Sequence, residues 1–164
     1  MRNHQRNRER NKKTVAIVGT LDTKGIEFKF LKEQIEAQGV ATLVINVGVL
    51  GKPFFTPDVS AAEVVKAAGE DLQALIKEGD RGHSVAVMCK GAAAIVADLY
   101  RKGKFHGVIS MGGGAGTNIG TTAMRALPIG VPKLIVSTLV SGDIRPYVGS
   151  KDITMMPSIV DISG

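Results

Sequence analysis

The sequence predicts one α/β domain, a three-layer, Rossmann-like open parallel sheet with helices on both faces. Three observations predict it. Short apolar runs recur as continuous stretches rather than as alternating ones, the pattern of strands covered on both sides. Between them lie segments whose apolar residues recur at helical spacing, so strands and helices alternate and the crossovers are parallel. The 20 glycines among 164 residues stand mostly at the ends of the apolar runs, where an α/β chain needs tight turns. This length suits one domain with a sizeable core. With 44% hydrophobic but only 4% aromatic residues, that core must be Val, Ile, Leu, Ala and Met.

Thr14-Val15-Ala16-Ile17-Val18 is the first expected strand. The polar turn Gly19 to Gly25 follows, with Asp22 or Thr23 placed to cap a helix that carries Phe28, Leu31 and Ile35 and stops at Gly39. Thr42 to Ile45 is a second buried strand, closed by Asn46-Val47-Gly48, and residues 48 to 58 form a loop with two prolines. Ser60-Ala61-Ala62-Glu63 fits a capping box, with Val59 and Val64 as a hydrophobic staple. One helix is expected from there through Val64, Val65, Ala68, Leu72, Leu75 and Ile76, ending near Gly79. Another carries Val85, Met88, Cys89, Ala92, Ile95, Val96 and Leu99, which places Cys89 on a core stripe.

The next strand is Gly107 to Met111. It runs into Gly112-Gly113-Gly114-Ala115-Gly116-Thr117, expected as a loop, and then a helix from Asn118 to Leu127 stopped by Pro128. Lys133 to Thr138 is a fourth buried strand, followed by Leu139 to Asp143 and a loop through Pro146 to Gly149. Residues 153–156 and 159–162 could each be a short strand or a turn.

The formal net charge of +6 is mostly a tail. Residues 1–13 hold Arg2, Arg6, Arg8, Arg10, Lys12 and Lys13 against Glu9, leaving +1 on the other 151 residues. That tail is expected to be disordered and solvated. It has no aromatic residue on which a base could stack, so nucleic acid is not an expected partner. The domain is then 14–164. No apolar stretch suits a signal peptide or a membrane span, and the lone cysteine permits no internal disulfide. A cytoplasmic location is therefore the expectation.

Ligands of open parallel sheets collect beyond the carboxyl ends of the strands. Here those ends are rich in Gly, Thr, Ser, Asp and Asn, and a phosphate-bearing ligand suits them best. The candidate binding residues are Gly19, Thr20, Asp22, Thr23, Lys24, Asn46, Gly48, Gly112, Gly113, Gly114, Gly116, Thr117, Ser137, Thr138, Ser141 and Gly142. A glycine cluster between a strand and a helix lets main-chain N–H groups approach an anion, and the helix end adds partial positive charge. The competing reading of the same cluster is a tight turn with no ligand. The first turn is not G-x-G-x-x-G, and the glycine cluster lacks the Lys-Ser/Thr ending of a Walker A loop, so amides and hydroxyls would have to hold the anion. Asp22 and Asp143 are weak candidates for Mg²⁺, with helix capping and turn stabilisation as the competing roles. His83 and His106 read as surface residues, there is no nucleophile elbow, and no catalytic residue is assigned.

Taken together, several long motifs resemble the Tm-one-like ATP-binding family. They are Val-Ala-Ile-Val-Gly-Thr-Leu-Asp-Thr-Lys-Gly at 15–25, Gly-Gly-x-x-Gly-Thr at 112–117, and Ala-Met-Arg-Ala-Leu-Pro-Ile-Gly-Val-Pro-Lys at 123–133. Val-Ser-Thr at 136–138, Ser-Gly-Asp at 141–143 and Arg-Pro-Tyr-Val-Gly at 145–149 continue the match. The family is largely uncharacterised and includes a plant tobamovirus-resistance protein whose N-terminal domain binds ATP. The resemblance implies ATP, with Mg²⁺ as its companion ion, held by the turns at 19–25, 112–117 and 137–142. It also implies homo-oligomers and a C-terminal domain that is absent here, as in a truncated or split form of a longer protein. This sequence departs from the family at Gly114-Ala115, where Ser-Gly is usual, at Asn46 for Asp, and at Pro157 for Tyr. The function expected is thus an ATP-binding domain. The alternatives are half of an enzyme acting on a small phosphorylated or carboxylated metabolite, completed by a second domain, or a protein-interaction module.

Overall fold

A computed structural model describes residues 12–158. Its centre is a five-stranded, wholly parallel sheet: β1 (Thr14–Gly19), β2 (Ala41–Asn46), β3 (Gly107–Gly112), β4 (Lys133–Ser137) and β5 (Thr154–Pro157). The strands lie in the order β2-β1-β3-β4-β5. The helices are α1 (Gly25–Ala37), α2 (Ala61–Ala67), α3 (Leu72–Glu78), α4 (Arg81–Arg101), α5 (Gly114–Arg125) and the single turn α6 (Arg145–Val148). The expected three-layer α/β domain is what forms.

Two apolar layers sandwich the sheet. On one face α1 sets Phe28 against Ile17, Leu21 and Val44, all fully buried. On the other, α2, α4 and α5 pack over Ala16, Val18, Ile45, Val108 and Ile135. The expected capping box forms: Ser60 Oγ accepts from the Glu63 N–H at 3.3 Å, and Glu63 returns a bond to the Ser60 N–H at 2.8 Å. α4 is long and apolar enough to cross a membrane by length and composition, which the sequence reading did not foresee. In the fold it is a core helix, with Val87, Met88, Ala92 and Val96 buried between α2 and α5. Cys89 lies partly buried against the same core, and burial pushes its thiol pKa up.

Four expectations need correction. The single helix from Val64 to Ile76 is two helices, because the chain breaks at Gly69 (φ +87°) and Asp71 caps a new helix by accepting from the Ala74 N–H at 2.9 Å. Neither Asp22 nor Thr23 caps α1. Lys24 is its N-cap residue, with no side-chain cap, and the Asp22 carboxylate reaches elsewhere. The helix expected from Asn118 starts at Gly114, so most of the presumed glycine loop is its first turn. The loop at 146–149 contains the helical turn α6, held by Arg125, whose guanidinium donates to the Pro146 and Tyr147 carbonyls. Of residues 153–156, the last three lie in β5, which begins at Thr154. Residues 1–11 of the tail, and 159–162, lie outside the described residues.

Lys133 is a buried cation at the start of β4. Its ammonium donates to the Pro128 and Val131 carbonyls and pairs with Asp152 at 2.7 Å. That ammonium and the Gly130 N–H hold the Asp152 carboxyl down to about 2.

Candidate functional site

The strand order reverses at β1. The chain leaves β1 through α1 to β2 on one side, then crosses back over to β3 on the other. The connections on the two sides of this point lie on opposite faces, so a crevice opens outside the carboxyl ends of β1 and β3. In open α/β sheets that switch point is where ligands bind. Its walls here are the turn Thr20–Lys24 and the start of α5, two of the segments singled out in the sequence.

At α5 the first carbonyl used within the helix is that of Gly113, which accepts from the Thr117 N–H at 2.8 Å. The N–H groups of Gly114, Ala115 and Gly116 therefore have no carbonyl one turn back, and no side chain caps them. A Cβ on Gly114 would meet nothing within 4 Å, so space for another group lies open there. Gly112 is needed for a different reason. A Cβ on it would come within 2.9 Å of the Gly116 Cα, so only glycine lets the strand end pass so close to the helix.

Several expected ligand contacts turn out to hold the turns themselves. The buried Thr117 hydroxyl donates to the Gly112 carbonyl and shares a 2.7 Å hydrogen bond with Ser137 Oγ, which also accepts from the Leu139 N–H. Asn46 Oδ1 accepts from the N–H groups of Leu21 and Gly48, tying the β1 and β2 turns together. Asp22 Oδ2 accepts from Leu50 and Gly51, and its Oδ1 from Thr23. A Cβ on Gly48 would fall 2.1 Å from the Asp22 Oδ1, and one on Gly19 would fall 2.2 Å into the Phe28 ring. Gly19 and Gly48 thus make room for the Phe28 and Asp22 side chains.

The candidates left at the crevice are Thr20, Thr23, Lys24, Gly113, Gly114 and Gly116, with Thr138, Ser141 and Gly142 in the neighbouring turn after β4. Thr23 Oγ1 donates to Thr20 Oγ1 at 3.0 Å. The Thr138 N–H donates to the Gly112 carbonyl, which brings the β4 turn against the end of β3. Phe54, 57% exposed, packs against Gly25 and gives the first turn an apolar flank. Sequence reasoning missed Ala115, whose contribution is a main-chain N–H. Placing the helix start at Gly114 would have found it.

Both carboxylates considered for a cation have hydrogen-bond partners within the chain. Asp22 is engaged by three main-chain N–H groups. Asp143 is clamped by the Arg145 guanidinium through two 2.8 Å hydrogen bonds, which hold its carboxyl below the usual range. Among the described residues, no three His, Cys, Asp or Glu side chains cluster as metal ligands would. Half-buried His83 pairs with Glu78, and His106, just before β3, accepts from the Thr14 N–H.

Comparison with known proteins places this geometry in a family. Residues 13–164 match the profile of an uncharacterised protein family (UPF0261), N-terminal domain. A UPF0261 protein of Clostridium tetani (strain Massachusetts / E88) is 54% identical over 152 residues, covering 93% of this chain and 38% of its own length. One from Rhizobium meliloti (strain 1021) is 41% identical, with 93% and 37% covered. The ToMV susceptible protein tm-1(GCR26) of Solanum lycopersicum is 31% identical over 173 residues, with 94% of this chain and 22% of the tomato protein covered. The chain thus spans well under half the length of these relatives.

Proposed function

The chain belongs to the UPF0261 family, matching its N-terminal domain, and from that premise we propose that it binds a nucleotide of the ATP type. The phosphates lie in the β1/β3 crevice. The N–H groups of Gly114, Ala115 and Gly116 point to them from the start of α5, where the helix dipole favours negative charge. Thr20, Thr23 and Lys24 close the opposite side, and Thr138 and Ser141 flank the next turn. Thr117, Ser137, Asn46 and Asp22 act one layer back, fixing the turns that carry the donors. The observation that carries this reading is the coincidence of an uncapped, glycine-built helix start with the switch point of the sheet. Any Mg²⁺ would ride on the phosphates and water, since the nearby carboxylates are engaged. The reading extends to a cytoplasmic protein.

A thermal-shift panel of ATP, ADP, GTP and NAD, each with and without Mg²⁺, tests it. Ligand at about 100 times its dissociation constant adds about 2.7 kcal/mol to stability, or roughly 5–10 °C in a domain of this size. ATP and ADP are expected to give shifts of that order at millimolar concentration. No shift with any nucleotide would overturn the proposal. A second reading, half of a metabolite-converting enzyme, draws support from the part of the relatives that this chain does not cover. It would be favoured by turnover in a full-length relative together with no nucleotide binding by this domain.

A further inference from the structure

One face of the sheet is covered on only one side of its midline. Ile17 and Val44 beneath α1 are fully buried. Their in-register neighbours Ile109 and Leu134 are half-buried, and Thr154 at the far edge is exposed. The next row repeats the gradient, with Met111 and Val136 half-buried and Met156 53% exposed. On the opposite face, the same strands bury Val108, Ser110 and Ile135 completely or nearly so, at 4%, 2% and 0% exposure. The α1 face of β3, β4 and β5 therefore presents Ile109, Met111, Leu134, Val136 and Met156 as one contiguous apolar surface.

The topology explains why no helix between β1 and β5 other than α1 lies on this face, where Phe55 of the loop after β2 joins Ile109 and Met111 at the edge of the α1 cluster. Right-handed crossovers that step from β2 across to β3, β4 and β5 all run in one direction, so their helices share one face. Only the reverse step, β1 to β2, puts a helix on the other face, and α1 is that helix. In the longer relatives, a right-handed crossover that left β5 and stepped back toward β1 would put its helix on the α1 face, beside α1. In the Clostridium and Rhizobium relatives more than half of the polypeptide lies outside the matched part, which covers 38% and 37% of their lengths. The match is to an N-terminal domain, so the polypeptide following it is the natural source of the cover.

We propose that this face is the docking surface for an amphipathic helix that follows the β5 position in the longer members of the family. It lies antiparallel to the strands and covers Ile109, Met111, Leu134, Val136 and Met156. The five residues of β4 span about 17 Å at 3.3 Å each, which a helix rising 1.5 Å per residue matches in about 11 residues. Its inward stripe is apolar and its outward face polar.

Hydroxyl-radical footprinting of this chain and of the full-length Clostridium tetani protein tests the proposal, with rates corrected for intrinsic side-chain reactivity. The side chains aligned with Leu134, Val136 and Met156 are expected to oxidise about tenfold more slowly in the full-length protein. The position of Phe30, which is 63% exposed on the outer face of α1, is expected to oxidise at similar rates in both. Equal rates at the β4 and β5 positions would overturn the proposal. So would protection in this chain alone that rises with its concentration alongside dimer formation, since a second copy would then be the occupant.

Discussion

Replacing Gly91 by alanine is expected to destabilise the fold by about 1–3 kcal/mol, the usual cost of overpacking a core. The sign is the informative part. In an ordinary helix interior the same change stabilises by up to about 1 kcal/mol. Gly91 lies in the middle of α4 where it crosses α2, and an alanine Cβ would sit 2.0 Å from the Val64 carbonyl oxygen. That atom is backbone, so no rotamer change relieves the clash, and the two helices must separate. Separation loosens the packing of Val64, Val65, Met88 and Ala92, all buried. Thermal or urea unfolding reads the effect, and a fall of roughly 2–10 °C in Tm is expected. An unchanged or raised Tm would show that α2 and α4 do not approach this closely.

The second large effect is on binding. Gly114→Pro is expected to lower nucleotide affinity by about 10- to 150-fold, the equivalent of losing one hydrogen bond to a charged group. Proline is well tolerated at the first helical position, where its missing N–H costs the helix nothing and its φ suits the turn. Gly114 holds that position, and open space surrounds its would-be Cβ. The substitution thus deletes one anion donor while the fold and Tm stay at the wild-type level. Calorimetric titration of ATP into both proteins measures the difference. Unchanged affinity in a folded variant would remove this helix start from the site.

The layers and strands of this protein are legible in its sequence because strands apolar on both faces write themselves as continuous runs at 14–18, 42–45, 107–111 and 133–138. The three-layer arrangement follows from their alternation with helical stripes. The site was legible only in outline. Gly, Thr, Asn and Asp at strand ends serve equally to bind a ligand or to build a turn, and one sequence does not tell which partner each side chain takes. Asn46, Thr117 and Ser137 took main-chain and side-chain partners across elements, a choice set by tertiary geometry. At the start of α5, glycine's low helix propensity argues for a loop. The contact of Thr117 with Gly112 and Ser137 overrides that preference. Gly69 is hidden in the same way, as a lone glycine inside an otherwise continuous helical stripe. The uncovered face of β3 to β5 was beyond reach, since strand order decides which helices share a face.

Main-chain amide chemical shifts during an ATP titration test the central claim most directly, because the proposed contacts are themselves N–H groups. With this chain ¹⁵N-labelled, the largest changes are expected at Gly114, Ala115 and Gly116 and along Thr20 to Lys24. Changes confined to other parts of the molecule, or none at millimolar ATP, would contradict the account.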